Sequence, residues 1–175
     1  MAKRIFIAAT MQNEGKTTLC LGLINALKKR FKKITFIKPI GQRYLVEQGY
    51  KVDEDSVLIE KIFGLKRNIK DMSPIAIERG FTEKYIEGKK RRSDLEKKIL
   101  ASFERCAKNA DLVIIEGTGH AGVGSVFDLS NAKVAKLLDA KVILISGGGI
   151  GKPIDEIMLN KALFVYGIAA VILFT

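Results

Sequence analysis

The residues with the clearest capacity for chemistry are Gly15, Lys16, Thr17 and Thr18, which follow Ala9-Thr10-Met11-Gln12-Asn13-Glu14 and lead directly into Leu19-Cys20-Leu21. A glycine, a lysine and a hydroxyl at the junction of a buried strand and a helix make a phosphate loop. Backbone N–H groups at the helix start point at phosphate oxygens, the Lys16 ammonium bridges the outer phosphates, and the Thr17 hydroxyl can hold Mg²⁺. Asn13, Glu14, Gly15, Lys16, Thr17 and Thr18 are therefore the candidate nucleotide contacts, with ATP and Mg²⁺ the expected ligands. The strict pattern has a glycine where this chain has Thr10, so the loop is a variant. A tight turn bearing an exposed lysine is the bland alternative. The position between a buried strand and a helix start favours the phosphate loop.

Further candidates stand after the later strands, where ligands collect in an open parallel sheet. Lys38, at the end of a second apolar run, delivers another cation to the edge that carries Lys16, and both lysines can stabilise a transferring phosphoryl group. Alone, Lys38 would read as a snorkelling strand-end lysine. Glu116 ends a third run and precedes the flexible Gly117-Thr118-Gly119-His120, where a carboxylate can complete a Mg²⁺ shell with phosphate oxygens and water. Asp55 is a second carboxylate candidate, equally explained by acids at a helix N-terminus. The candidate metal set is Thr17, Asp55 and Glu116. His120 is the sole histidine. No nucleophile and acid flank it, and phosphoryl transfer needs positioning more than a base. Gly147 to Pro153 suits either a loop near the nucleotide or a tight turn.

The elements that must position these residues are legible as alternating short β-branched runs and longer amphipathic stretches, the pattern of a doubly wound, mostly parallel α/β sheet with helices on both faces. Strands are expected over Ile5–Ala9, Ile34–Lys38, Leu112–Glu116, Val142–Ser146 and Ala169–Phe174. Helices are expected over Lys16–Phe31, Asp53–Phe63, Ser93–Asn109, Ala132–Leu138 and Pro153–Tyr166. Between Phe81 and Arg92 the pattern weakens to a short helix and an exposed, mobile turn.

A length of 175 residues predicts one nucleotide-binding domain, and 47% hydrophobic with 28% charged residues describes a folded globular chain. Cys20 and Cys106 show no metal or disulfide spacing and read as reduced, buried thiols. No run reaches the length of a membrane span, and the N-terminus lacks a full signal peptide, so a cytoplasmic protein is expected. The net charge of +11 collects in Lys28–Lys33 and Lys89–Arg92. Neither run has interleaved aromatics, so both read as solvated faces, with neither nucleic acid nor membrane as partner.

Taken in order, Gly15-Lys16-Thr17, Lys38-Pro39, Asp55, Ser73-Pro74 and Glu116-Gly117-Thr118-Gly119 resemble the dethiobiotin synthetase-like branch of P-loop proteins over nearly the whole chain. The resemblance implies a homodimer using ATP and Mg²⁺ on an unidentified small-molecule substrate, with Thr17, Asp55 and Glu116 at the metal and Lys16 and Lys38 at the phosphates. It implies ligase chemistry that activates a carboxylate or carbamate by phosphorylation. Two features depart from that pattern: Ala9-Thr10-Met11-Gln12 replaces Gly-Thr-Asp-Thr, and Gln42 and Arg43 replace small residues. The stretch from Gly122-Val123-Gly124-Ser125 through Leu129-Ser130-Asn131-Ala132 is more similar to the nucleotide-binding or regulatory domain fused to some phosphotransacetylases. Cobyrinic acid diamide synthases share the core. Partitioning ATPases usually carry an extra lysine between positions corresponding to Thr10 and Glu14, absent here. In the family an adenine-reading asparagine follows the last strand, so a chain ending at Thr175 is expected to be truncated.

Overall fold

The structure, a computed structural model, describes residues 2–164 and 167–174. Five parallel strands form the central sheet: β1 (Lys3–Ala9), β2 (Ile34–Ile37), β7 (Leu112–Glu116), β8 (Lys141–Gly147) and β9 (Ala170–Phe174). Their spatial order is β2-β7-β1-β8-β9. The short pairs β3 (Ile40–Gly41) with β6 (Ile75–Ala76), parallel, and β4 (Tyr44–Glu47) with β5 (Tyr50–Asp53), antiparallel, lie outside it.

β2 and β7 are buried at every position and read as continuous apolar runs because both sheet faces are covered. The connection from β1 to β2 passes through α1 (Lys16–Leu27), and the return from β2 to β7 through α5 (Arg92–Ala107). The two connections cross the sheet in opposite directions, and right-handed crossovers put their helices on opposite faces. Both helices pack on β7, and α7 (Lys152–Leu163) packs on β8. Phe6, Ile7, Phe36, Ile37, Ile114 and Ile115 fill the core between these layers. β1 is the switch point: it pairs with β7 on one side and with β8 on the other, so the crevice for a ligand opens beyond its carboxyl end.

All five expected strands form within two residues of their predicted ends. α1 stops at Leu27 and not at Phe31, because Lys28, Lys29 and Arg30 are exposed and offer no apolar face to bury. The cationic run therefore follows the helix and does not close it. α2 (Glu54–Phe63) is capped by Asp53, whose side chain accepts the Asp55 N–H, and α6 spans Asn131–Leu137. The expected end of the last helix at Tyr166 lies outside the described residues; α7 ends at Leu163. The β4–β5 hairpin, α3 (Ile69–Met72), β3 and β6 were not foreseen. α4 (Phe81–Ile86) is the short helix expected there. Cys20 and Cys106 are free and buried.

Candidate functional site

The loop after β1 turns on two left-handed residues, Asn13 (φ 66°) and Gly15 (φ 83°). Asn tolerates that region and Gly occupies it without steric cost. No side chain caps α1 and its first turn holds no acid, so its leading N–H groups face the crevice open to an anion. α2 presents the opposite case, with Asp53 as cap and Glu54 and Asp55 in its first turn. One helix start awaits negative charge and the other already has it.

The start of the loop is anchored. Thr10 N–H donates to the Ile145 carbonyl at 2.8 Å, and its hydroxyl lies 3.2 Å from that of Ser146. Buried Asn160 on α7 donates to the Thr10 carbonyl at 3.2 Å, while its Oδ1 accepts the Ala121 N–H at 2.8 Å. One side chain thus ties the phosphate loop to the loop after β7. Asn160→Ala leaves a buried amide and carbonyl without partners and is expected to lower stability by about 1–3 kcal/mol in urea unfolding. A loss below about 0.5 kcal/mol would contradict this role.

The loop after β7 is held from two more directions. Asn131 Oδ1 accepts the Thr118 N–H at 3.0 Å and its Nδ2 donates to the carbonyls of Thr118 and His120 at 2.6 and 2.7 Å. The Thr118 hydroxyl donates to the Ile40 carbonyl, locking the loops after β7 and β2 together.

These anchors gather the charged groups. Lys38 Nζ lies 2.9 Å from Asp53 Oδ1 and 3.5 Å from Glu116 Oε1, and it also donates to Asp55 Oδ2. Thr17 Oγ1 donates to Glu116 Oε1 at 3.0 Å. Lys16 reaches back to the Met11 carbonyl at 3.4 Å. All line a cavity of about 260 Å³ together with Gln12, Asn13, Gly15, Thr18, Gln42 and Arg43. The fit at Asp53 is close: a Cβ on Gly41 would meet the Asp53 side chain at 2.5 Å, so only glycine admits this carboxylate.

The cluster has one lysine among three carboxylates. Burial alone would lower the Lys38 ammonium, but Glu116, Asp53 and Asp55 outweigh it and hold the lysine above its ordinary range. Burial raises Asp53, which Lys38 only partly offsets. The more open Asp55 stays below the ordinary carboxylate range because Lys38 outweighs its burial. Burial pushes Glu116 up to about 7. Lys16 is lowered, chiefly by burial. Two buried carboxylate oxygens of this cluster, Asp53 Oδ2 and Glu116 Oε2, have no hydrogen-bond partner among the described residues.

A carboxyl whose folded-state value lies above its unfolded one favours the folded state below the unfolded value, and that contribution disappears as pH rises through the folded value. For Glu116 the window runs from 4.5 to about 7. Asp53 acts in the same direction, while the Asp55 shift operates at lower pH. Unfolding free energy is therefore expected to fall between about pH 5 and pH 8, and Glu116→Gln is expected to be about 1–3 kcal/mol more stable than the parent near pH 8. Urea titrations across that range check this; a Gln variant less stable at pH 8 would contradict it.

Eight of the nine expected site residues, Asn13, Gly15, Lys16, Thr17, Thr18, Lys38, Asp55 and Glu116, line one cavity. Glu14 is not on that wall; its carboxylate lies 3.5 Å from where a Cβ on Gly147 would stand, so the loop after β8 adjoins the phosphate loop. His120 is exposed, and its Nδ1 accepts the Gly122 N–H at 3.1 Å. Asp53, Asn131 and Asn160 are additions. Asp53 stood in the sequence as one acid among three at an expected helix start, and the structure makes it that helix's cap. Asn160 carried none, because on α7 the apolar Ile154, Met158, Leu159 and Leu163 are exposed and the polar residue is buried.

A family model described as AAA domain matches residues 3–173. The chain is 32% identical over 141 residues to a phosphate acetyltransferase of Pseudomonas aeruginosa, covering 81% of this chain and 19% of that protein. It thus spans about a fifth of the length of that relative. With the ATP-dependent dethiobiotin synthetase of Methanococcus vannielii it shares 26% identity over 148 residues, 84% of this chain and 66% of the relative. A plasmid partition protein from Borrelia burgdorferi superimposes with a TM-score of 0.54 at 14% identity, covering 99% of this chain and 78% of that one. A ParA family ATPase from Chlorobium tepidum gives 0.52 at 13% identity, covering 99% and 73%. These two structures show the shared fold alone. The chain belongs to the AAA domain family, as a P-loop NTPase of the dethiobiotin synthetase-like type.

Proposed function

We propose that this domain binds a magnesium nucleoside triphosphate, ATP by preference, in the cavity between the phosphate loop, Lys38 and Glu116, and transfers its terminal phosphoryl group to a carboxylate or carbamate. The observation that carries the reading is the convergence of Lys16, Lys38, Thr17, Asp55 and Glu116 on one cavity at an uncapped helix start. The all-oxygen donors Thr17, Asp55 and Glu116, with the unpartnered Glu116 Oε2, suit Mg²⁺, which binds through one or two carboxylates, phosphate oxygens and water. Among the described residues no group of three His, Cys, Asp or Glu side chains is disposed to hold a metal alone, so the phosphates are needed to complete the shell. When bound, the ion neutralises charge on the outer phosphates.

The protein's own part is to exchange partners. Without ligand, Lys38 is neutralised by three carboxylates. With Asp55 and Glu116 engaged in holding a metal ion, the Lys38 ammonium keeps Asp53 as its carboxylate partner and can face the oxygens of the phosphoryl group, opposite Lys16. The acceptor oxygen then attacks the terminal phosphorus as the bond to the bridging oxygen breaks, giving an acyl phosphate and the nucleoside diphosphate. The test is ADP release by the protein with Mg²⁺ and ATP, with and without diaminopelargonic acid and bicarbonate. Substrate-dependent release supports the transfer reading, and ATP binding without release in either mixture overturns it.

A second reading is a nucleotide-sensing module without turnover. The phosphate acetyltransferases match along only about a fifth of their length, as an appended domain would. Gln42 and Arg43 on the cavity wall, where small residues were expected, fit that reading too. A cytoplasmic location and a homodimer belong to the same proposal. The exposed apolar face of α7, Ile154, Met158, Leu159 and Leu163, is the surface that supports self-association. No helix among the described residues is long and apolar enough to cross a membrane.

A further inference from the structure

A cavity of about 840 Å³, larger than the phosphate-loop cavity, opens between the β5 end of the hairpin, α3, α4 and α5 along its length. Its walls carry nine lysines and arginines against three carboxylates. Of those carboxylates, Asp71 is consumed by Arg105, which grips it at 2.9 and 2.8 Å, and Glu78 by Lys51 at 2.6 Å. Lys70, Arg79, Lys84, Lys90, Arg91 and Lys98 form no ion pair within 4 Å among the described residues, although Glu78 also feels Lys84 and Lys90, and Asp94 is the remaining acid on the wall. Nine cations against three acids leave an excess of six positive charges on a concave surface, whose mutual repulsion a bound anion relieves.

The cavity is a built part of the fold and not a gap between loops. Its floor is the Asp71–Arg105 pair, with Asp71 buried and the Ser102 hydroxyl donating to it at 3.3 Å. The Ser73 hydroxyl, on the same wall, accepts the Asp53 N–H at 2.9 Å, so the wall is continuous with the strand that supplies Asp53 to the nucleotide cavity. Lys70 lies 5.4 Å from the Tyr50 ring centroid and Lys90 lies 4.9 Å from that of Phe81, which holds two of the cations in place over apolar walls. The cationic run Lys89–Arg92 is the solvated segment that its sequence suggests, with Lys90 half-buried, and three of its four residues also line this cavity. The volume falls in the range of small-molecule sites. A duplex would instead need cations spread along an extended face.

We infer that this cavity is a second ligand site, distinct from the phosphate loop, for a small molecule carrying two or more phosphate groups. Lys84, Arg91 and Lys98 supply the charge at its mouth, and Tyr50 and Phe81 supply the apolar wall. The proposal does not depend on the chemistry assigned to the nucleotide cavity.

The test uses inorganic tripolyphosphate as probe, titrated calorimetrically at physiological salt into protein carrying Lys16→Ala to silence the phosphate loop. One-site binding is expected. The triple variant Lys84→Ala/Arg91→Ala/Lys98→Ala should weaken it about tenfold or more, as three lost ion pairs of roughly 0.5 kcal/mol each would do. A second triple variant, Lys28→Ala/Lys29→Ala/Arg30→Ala, removes the same charge from an exposed surface and should leave affinity unchanged. Tighter binding of a nucleoside triphosphate than of tripolyphosphate, lost in the first variant, would assign the apolar wall to the base. Absence of binding, or equal loss in both triple variants, would overturn the site. So would a short DNA duplex that displaces tripolyphosphate and is itself sensitive to the first variant, since it would make the cavity part of a nucleic-acid face.

Discussion

Replacing Lys38 with methionine is expected to lower the unfolding free energy by about 3–5 kcal/mol near pH 8, the range for removing one partner of a buried ion pair. The variant leaves Asp53, Asp55 and Glu116 facing one another with no cation among them, and two of the three are essentially inaccessible to water. The loss should shrink as pH falls toward about 5.5, because carboxyls that lose a neighbouring cation take up protons more readily. Adding Glu116→Gln to the same variant should recover part of the deficit by removing one buried negative charge. Urea unfolding followed by circular dichroism at both pH values checks each statement. A Lys38→Met protein as stable as the parent at pH 8 would mean that the four groups do not form the cluster described.

Lys16→Ala should have the reverse profile, with little effect on folding and a large one on binding. Lys16 is desolvated and, among the described residues, forms no salt bridge: its ammonium donates to the Met11 carbonyl at 3.4 Å and feels Glu116 and Asp55 at longer range. Its removal is expected to change stability by less than about 1 kcal/mol. In the proposed complex the same ammonium makes charge-assisted bonds to the outer phosphates, so triphosphate affinity should fall roughly a hundredfold, or about 3 kcal/mol. Equal affinities for parent and variant, by calorimetry, would remove the phosphate loop from the site.

Much of this arrangement was legible in the chain before its fold was known. The parallel strands are continuous apolar runs because both faces are covered, and such runs announce both their position and their carboxyl ends. Lys38 and Glu116 could therefore be placed on the same edge as Lys16 from their position at strand ends, taken together with the phosphate loop. The departures have identifiable causes. The hairpin turns on Gln48 (φ 52°) and Gly49 (φ 79°), a pair of left-handed residues without the Asn-Gly or Asp-Gly that usually signals this turn. Its neighbouring residues Leu45 and Val46 point to opposite faces and are both exposed, so no half-buried alternation marked the strand. Asp53 looked like an ordinary helix acid, and its pairing with Lys38 depends on the close approach of Gly41, a contact between segments twelve residues apart. Asn160 and the basic cavity depend wholly on tertiary placement. Nothing local shows that a helix buries its asparagine, or that Lys89 to Arg91 will face Lys70 and Lys98 across a cavity.

The most direct test of the central claim is a calorimetric titration of ATP into the parent protein near pH 8, once with Mg²⁺ and once with a chelator. At that pH Glu116, which titrates at about 7, is ionised and able to take part in a metal shell. The predicted result is stoichiometric binding with Mg²⁺ that weakens by at least roughly tenfold in the chelator, since two carboxylates then face the triphosphate uncompensated. Absence of binding under both conditions, or binding indifferent to Mg²⁺, would contradict the account.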